Sequence, residues 1–307
     1  MNRSQALITA LLLIGAAGAW LIIKDSDEPK TKPETQVERV ARPNSQKARE
    51  TRWPKLTDHR LPLETRLNVA RSIDRSLSAR EYSELFALMR HQPKSGDESE
   101  WWVVLNEIME QMRKHGAGAE QYTATLSAIL ADPSMPEVPR DYAAQHLAQW
   151  IAPANTESPG EIDPARRQEA LSLFGDIIAD ESLTHTAIPG TALMALTDAA
   201  SRLAEEETTS IWEKLDPVLI ELITGVRSAE MTLRVSAIQS AALRQSEQHL
   251  PGIRAFANNE KANPSLRLSS IAALGLYADP EDRETLTDLA NSKTKFQYAA
   301  KAALERF

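Results

Sequence analysis

Apolar and polar positions divide this 307-residue chain into three stretches. From Ala6 to Ile23 every residue is apolar or small except Thr9. Such a run reads as one helix rising about 27 Å, close to the thickness of a bilayer core. Trp20 and Lys24 stand at one end of it, where aromatic and snorkelling anchors belong. Residues 25–60 then lose all apolar period, and Pro29, Pro33, Pro43 and Pro54 punctuate a run rich in Lys, Glu, Thr and Gln. That composition buries too little surface to offset the entropy of ordering it, so the segment reads as a disordered tether. Trp53 stands close enough to its end to pack onto the first helices of the body.

Beyond Leu61 the pattern is helical. Arg234, Ala237, Ile238, Ala241 and Ala242 mark one helix face, and Arg267, Ser270, Ile271, Leu274 and Gly275 repeat the spacing 33 residues later. Arg140, Ala143, Ala144, Leu147 and Ala148 carry it earlier. Gln297, Ala300 and Leu304 carry it later, with Lys301 and Glu305 at positions elsewhere apolar, as suits a helix facing water at the close of an array. Recurrence near this period predicts stacked helix pairs, each covering its neighbour's apolar face. The expected pairs occupy 61–91, 98–131, 137–181, 187–225, 229–258 and 264–291, with a last helix over 294–307. Arg167, Ala170, Leu171, Phe174 and Gly175 also fit the spacing, which leaves the register of the middle repeats open. No stretch alternates apolar and polar residues long enough to support a strand.

The punctuation agrees. Asp163-Pro164, Asp216-Pro217, Asn263-Pro264 and Asp279-Pro280 each place a capping residue before a Pro suited to a first helical turn, so each is expected to start a helix. The run Pro264-Ser-Leu-Arg267-Leu-Ser-Ser-Ile-Ala-Ala-Leu274-Gly275, followed by Asp279-Pro280-Glu-Asp-Arg-Glu-Thr-Leu286, resembles HEAT repeats, in particular the short bacterial type also found in phycobilin lyase subunits. The likeness is clear over about 229–307 and diffuse over 61–228. It implies an all-α, right-handed α-solenoid of HEAT-like helix pairs over 61–307, to which the apolar run adds a single transmembrane helix within 1–24, joined by the basic linker 25–60. The resemblance also implies a habit of binding proteins, and no activity.

Charge sharpens this picture. Residues 1–60 hold 11 Lys/Arg against 7 Asp/Glu, whereas 61–307 hold 24 against 36, a balance of −12. An acidic body lacks the basic stripe that nucleic acid requires, so nucleic acid is not expected as a ligand. The chain has no cysteine, which removes thiolate metal sites, disulfides and Cys nucleophiles. His59, His91, His115, His146, His185 and His249 are scattered, with no close ligand pair, and no nucleotide or hydrolase motif is present; no metal or cofactor is expected. The column Arg140, Arg234, Arg267 invites a ligand ladder, but a structural Arg bonding loop carbonyls is the preferred reading.

The expected function is a non-enzymatic scaffold at a membrane that binds a basic protein partner. Its alternatives are an enzyme or lyase-like factor on a helical toroid, or a glycan- or lipid-binding envelope component without turnover. Partner contacts are assigned to Glu169, Asp176, Glu221 and Glu284, expected to be exposed on the second helices near 165–180, 217–224 and 281–290. Trp101 and Trp102 join them as candidate anchors, because adjacent helical residues diverge by about 100° and one ring can be left for a contact; core filling by both rings is the preferred reading. The soluble fragment is expected to be monomeric. The layout of the apolar segment favours export of the body, although Arg3 on one flank against Lys24, Lys30, Lys32, Arg39 and Arg42 on the other would hold it in the cytoplasm.

Ala17-Gly18-Ala19 matches a signal-peptidase site, but cleavage there would leave Trp20-Leu21-Ile22-Ile23 exposed. An uncleaved anchor predicts that the native chain stays in the membrane fraction through high salt and carbonate. A soluble mature form starting at Trp20, identified by N-terminal sequencing, would show instead that the segment is removed.

Overall fold

The computed structural model describes residues 53–74, 77–93, 96–116, 119–153 and 162–307. The apolar run Ala6–Ile23 and the tether as far as Arg52 lie outside the described residues, and the expectations placed on them lie there too. Among the described residues there are 13 α-helices, four short 3-10 turns and no strand. The helices are α1 Leu63–Arg71, α2 Ala79–Met89, α3 Glu98–His115, α4 Ala119–Ala131, α5 Glu137–Ile151, α6 Pro164–Ala179 and α7 Ile188–Ala200. They continue as α8 Glu205–Thr224, α9 Met231–Leu243, α10 Leu250–Asn258, α11 Pro264–Tyr277, α12 Arg283–Asn291 and α13 Gln297–Leu304.

Packing follows chain order with a stride of two. Each odd-numbered helix from α1 to α13 packs on the next odd-numbered one, and α2, α4, α6, α8 and α10 do the same among themselves. Apolar residues between the two ranks form one continuous buried cluster from Trp53 to Ala303. Small residues permit close approach. A Cβ on Gly275 of α11 would stand 2.6 Å from the Cα of Ala303 in α13. Only glycine fits there without moving a helix.

Several helix starts are legible as chemistry. Ser78 and Glu81 form a reciprocal capping box at α2, the Ser78 amide donating to Glu81 Oε2 (2.8 Å) and the Glu81 amide to Ser78 Oγ (3.3 Å). Asp163 and Asn263 accept from the amides of Ala165 and Ser265, each at 2.9 Å, as their Asx-Pro steps suggest. Asp279-Pro280 opens a 3-10 turn, Pro280–Asp282, that leads into α12.

Asp216-Pro217 departs from expectation. It does not start a helix, because α8 runs unbroken from Glu205 to Thr224 with Pro217 inside. The buried row Ile211, Trp212, Leu215, Leu219, Leu222 and Ile223 holds the helix together through the proline. Pro217 and Glu213 are exposed, so the carbonyl deprived of its amide partner faces water. Asp216 is drawn to Arg244 instead of capping, with Arg244 Nη1 at 2.8 Å from its Oδ1.

The folded body begins earlier than composition suggests. Trp53–Leu56 forms a 3-10 turn, and Trp53 (3 % exposed) and Leu56 (0 %) are buried. Trp53 and Leu56 therefore belong to the folded body and not to the tether. Leu56 is also where the first of a series of side-chain caps is made.

At the fourth residue of α1, α5, α9 and α11 stands an arginine whose Nε donates to a carbonyl ending the element before it. Arg66 bonds Leu56 O (3.0 Å), Arg140 bonds Leu130 O (3.0 Å), Arg234 bonds Leu222 O (2.9 Å) and Arg267 bonds Ala257 O (3.0 Å). In α3 the fourth residue is Trp101, whose indole N–H donates to His91 O (3.1 Å). In α7 it is Thr191, and there Arg227 supplies the donor, reaching Ala179 O at 2.7 Å. The carbonyls of Leu130, Ala179, Leu222 and Ala257 lie in last helical turns, which leave them without an amide partner, whereas Leu56 ends a 3-10 turn and His91 lies in a loop. Gly225, in a left-handed conformation (φ 81°), closes α8 and leaves room for Arg234, whose Nη2 would lie 2.8 Å from a Cβ there.

If the forked guanidinium matters, lysine cannot replace it. Arg267→Lys should destabilise the protein by roughly 1–3 kcal/mol, the range for leaving a buried carbonyl unsatisfied, and urea denaturation of residues 53–307 measures it. A lysine variant as stable as the parent would show that the stem, not the fork, is what α11 needs.

Candidate interaction surface

The two ranks differ in what they show to solvent. On α2, α4, α6, α8, α10 and α12 the exposed acids are Glu120, Glu169, Asp176, Glu205, Glu206, Glu213, Glu221, Glu284 and Asp288, against Arg80, Lys214 and Arg283. On α7, α9 and α11 no exposed residue is charged; the exposed side chains there are Thr232, Leu243, Pro264, Ser265 and Leu268. The even-numbered helices thus expose six more acids than cations, whereas α1, α3 and α5 expose Glu64, Glu98, Glu100 and Glu137 against Arg71 and Lys114.

The four carboxylates singled out from the sequence are all exposed. Glu169 and Asp176 lie two turns apart on one face of α6, opposite the buried row Ala170, Leu171, Phe174, Ile177 and Ile178. Arg166 Nη1 bonds Glu169 Oε2 at 2.8 Å, and Lys214 Nζ of α8 bonds Asp176 Oδ1 at 2.6 Å. The second pair ties the packed helices α6 and α8, and Glu221 follows two turns along α8 from Lys214. Glu284 stands apart on α12. The assignment therefore gathers three carboxylates on two adjacent helices, with cations already paired to two of them.

Trp101 and Trp102 do not belong to this surface. Trp101 is 0 % and Trp102 8 % exposed. Helix α3 is packed by odd neighbours on both sides and by α2 as well. Core therefore covers more than one direction around it, and rings 100° apart are both buried. Trp101 meets His91 edge-on at 5.3 Å between centroids, in addition to capping its carbonyl.

The Arg column is structural, as preferred, and larger than the spacing alone suggested. Arg66, overlooked from the sequence, precedes Val69, Ala70 and Ile73 with the same spacing as Arg140. Its side chain is fully buried and reaches Asp97 Oδ1 (2.8 Å) and Glu100 Oε2 (3.4 Å). Arg167, which fits the spacing, is on an even-numbered helix and pairs with Glu207 at 2.8 Å. Arg234 and Arg267 lie over the rings of Phe256 (5.2 Å) and Phe296 (4.7 Å).

Two polar networks tie helices together, the first across the ranks and the second within the odd-numbered one. In one, Asp216 takes Arg244, whose guanidinium sits 3.8 Å over the Trp212 ring, and lies 3.7 Å from His249 Nε2. Burial pushes the His249 imidazole toward its neutral form, against the pull of Asp216. In the other, His146 of α5 donates from Nε2 to Asn106 Oδ1 of α3 (3.0 Å). Its buried Nδ1 finds no hydrogen-bond partner, with Glu110 Oε2 3.8 Å away. Burial also works to raise the Glu110 carboxyl, but Arg113 and Lys114 outweigh it and hold the group below its ordinary value. No trio of His, Asp or Glu among the described residues is placed to hold a metal ion, and no helix among them is long and apolar enough to cross a membrane.

Compared with known proteins, the chain matches no family model and no curated sequence.

Two buried groups give opposite acid responses. Burial drives His146 down to about 4, so it stays neutral while an unfolded imidazole protonates near 6.5. Its contribution is complete above that pH and is lost as pH falls toward 4. Burial drives Asp141 up to about 6, although Thr191 bonds it; acidification below 6 therefore relieves a penalty present at neutral pH. Relative to the parent, Asp141→Asn should lose stability more steeply between pH 6 and 4, and His146→Gln less steeply. Urea midpoints across that window check both slopes, and parallel curves for all three proteins would remove these groups from the acid response.

Proposed function

We propose that this protein is a membrane-tethered, non-enzymatic scaffold, a HEAT-like α-solenoid whose even-numbered helices bind a basic protein partner. The observation that carries this reading is the one-sided charge: nine exposed carboxylates against three cations on those helices, and an uncharged exposed set on α7, α9 and α11. A surface of one sign steers a partner of the other and fixes its register more than it adds raw affinity. The stride-of-two packing and the recurrent Arg at the fourth helical position support the solenoid. The apolar run Ala6–Ile23 supports the tether.

Reversal of Glu169, Asp176, Glu221 and Glu284 to lysine should leave the helical content unchanged, because all four are exposed. It should abolish stoichiometric recovery of the partner in crosslinking and slow its association roughly ten-fold at low salt, since steering charges act mainly on the on-rate. The same partner retained by the reversed protein, and lost on substitution of exposed residues of α9 and α11, would move the working face to the odd-numbered helices and end this assignment.

A further inference from the structure

Cations are distributed along this protein in a way that the scaffold reading does not use. Among the described residues, every Arg and Lys from Arg60 to Arg254 bonds a carboxylate or a backbone carbonyl. Past that point only Arg267 does. Lys261, Arg283, Lys293, Lys295, Lys301 and Arg306 make no ion pair or side-chain hydrogen bond, a condition otherwise met only by Lys55. Four of these six fall on the turn before α13 and on α13 and its end: Lys293, Lys295, Lys301 and Arg306, all exposed, with Glu305 the one acid among them.

An exposed aromatic lies in their midst. Tyr298 is 78 % exposed, and on α13 it shares a face with Lys301, Ala302 and Glu305. Beside it in the chain, Phe296 is buried under the Arg267 guanidinium at 4.7 Å, which anchors the turn that carries Lys293 and Lys295. The exposed carboxylates Glu284 and Asp288 belong to α12, and on α13 itself Lys301 is the one exposed charge.

We infer that this basic segment, Lys293, Lys295, Tyr298, Lys301 and Arg306, docks on the anionic headgroups of a lipid bilayer. The choice of residue separates a lipid surface from an acidic protein. Elsewhere in the molecule paired cations are nearly all Arg, whose planar fork fits one fixed acceptor, whereas three of these four are Lys. Lys is depleted from protein–protein contacts. On a bilayer a flexible ammonium beside an exposed Tyr suits headgroups that offer charge without fixed geometry. Docking here rests on the tether reading for its local concentration, since each cation raises partitioning onto an anionic surface only about five-fold. The exposed residues of α11, the odd-numbered helix packed on α13, are uncharged and oppose no such contact.

The absence of cysteine makes the test direct. Tyr298→Cys in the full chain, carrying an environment-sensitive fluorophore, is reconstituted into phosphatidylcholine vesicles with and without phosphatidylglycerol. Emission should shift to the blue only with the anionic lipid, return on adding high salt, and fail to shift when Lys293, Lys295 and Lys301 are also changed to Glu. That triple change should weaken docking on the order of 100-fold. Equal emission in both lipids, or a shift that survives the triple change, would overturn the proposal; a shift that appears only on adding a soluble acidic protein would reassign the segment to a protein. A chain that does not float with neutral vesicles would overturn the tether reading alone. Flotation of that same chain with anionic vesicles, at lipid concentrations raised to offset the lost local concentration, would still uphold the α13 segment if the triple variant loses it; flotation that survives the triple change, or none at those concentrations, would reject it.

Discussion

Stacking helix pairs side by side forces helix ends into places where water reaches them poorly, and every end leaves carbonyls without amide partners. This constraint governs the molecule. It is met by a donor from the fourth residue of the following odd-numbered helix: Arg66, Trp101, Arg140, Arg234 and Arg267. The position suits the purpose, because a side chain one turn into a helix points back past that helix's start. It therefore reaches the element just ended. Arginine predominates because its stem can lie in an apolar seam while its fork donates in fixed directions. Where Thr191 is too short, Arg227 reaches Ala179 from the loop after α8.

That use of arginine also shapes the surface. Guanidinium groups drawn inward, over Phe256, over Phe296 or onto Asp97, no longer balance the acids outside. The exposed carboxylates of α6 and α8 remain, and only Arg166 and Lys214 answer them locally. Such exposed pairs are worth little in stability, about 0–1 kcal/mol each. Their acids are free to serve an interaction without endangering the fold. The buried network of Asp216, Arg244 and His249 is different in kind: removing one partner there strands a charge among apolar side chains.

Packing between neighbours is set by small residues as much as by large ones. Gly275 against Ala303 brings α11 and α13 closer than any side chain would allow. Stability in such a stack is shared between adjacent helices and not held at one centre. Local opening is accordingly cheapest where a helix has few neighbours, and α13, packed mainly on α11 and α12, is such a place.

The alternation of helices was legible from the residues alone, because a face spaced by three and four residues is a local property of the chain. The Asx-Pro starts at Asp163 and Asn263 were legible for the same reason, and so was the exposure of Glu169, Asp176, Glu221 and Glu284. What tertiary structure alone decided is where two local preferences compete. Asp216-Pro217 has the form of a start, yet the buried row on both sides of it outweighs one lost hydrogen bond. Trp101-Trp102 leaves one free ring open as an alternative to core filling by both, and neighbours on several sides decide for the core. The Arg spacing identifies a helix face, but which carbonyl each guanidinium meets depends on how far the chain travels before it turns back. That is a distance between helices, and no single helix encodes it.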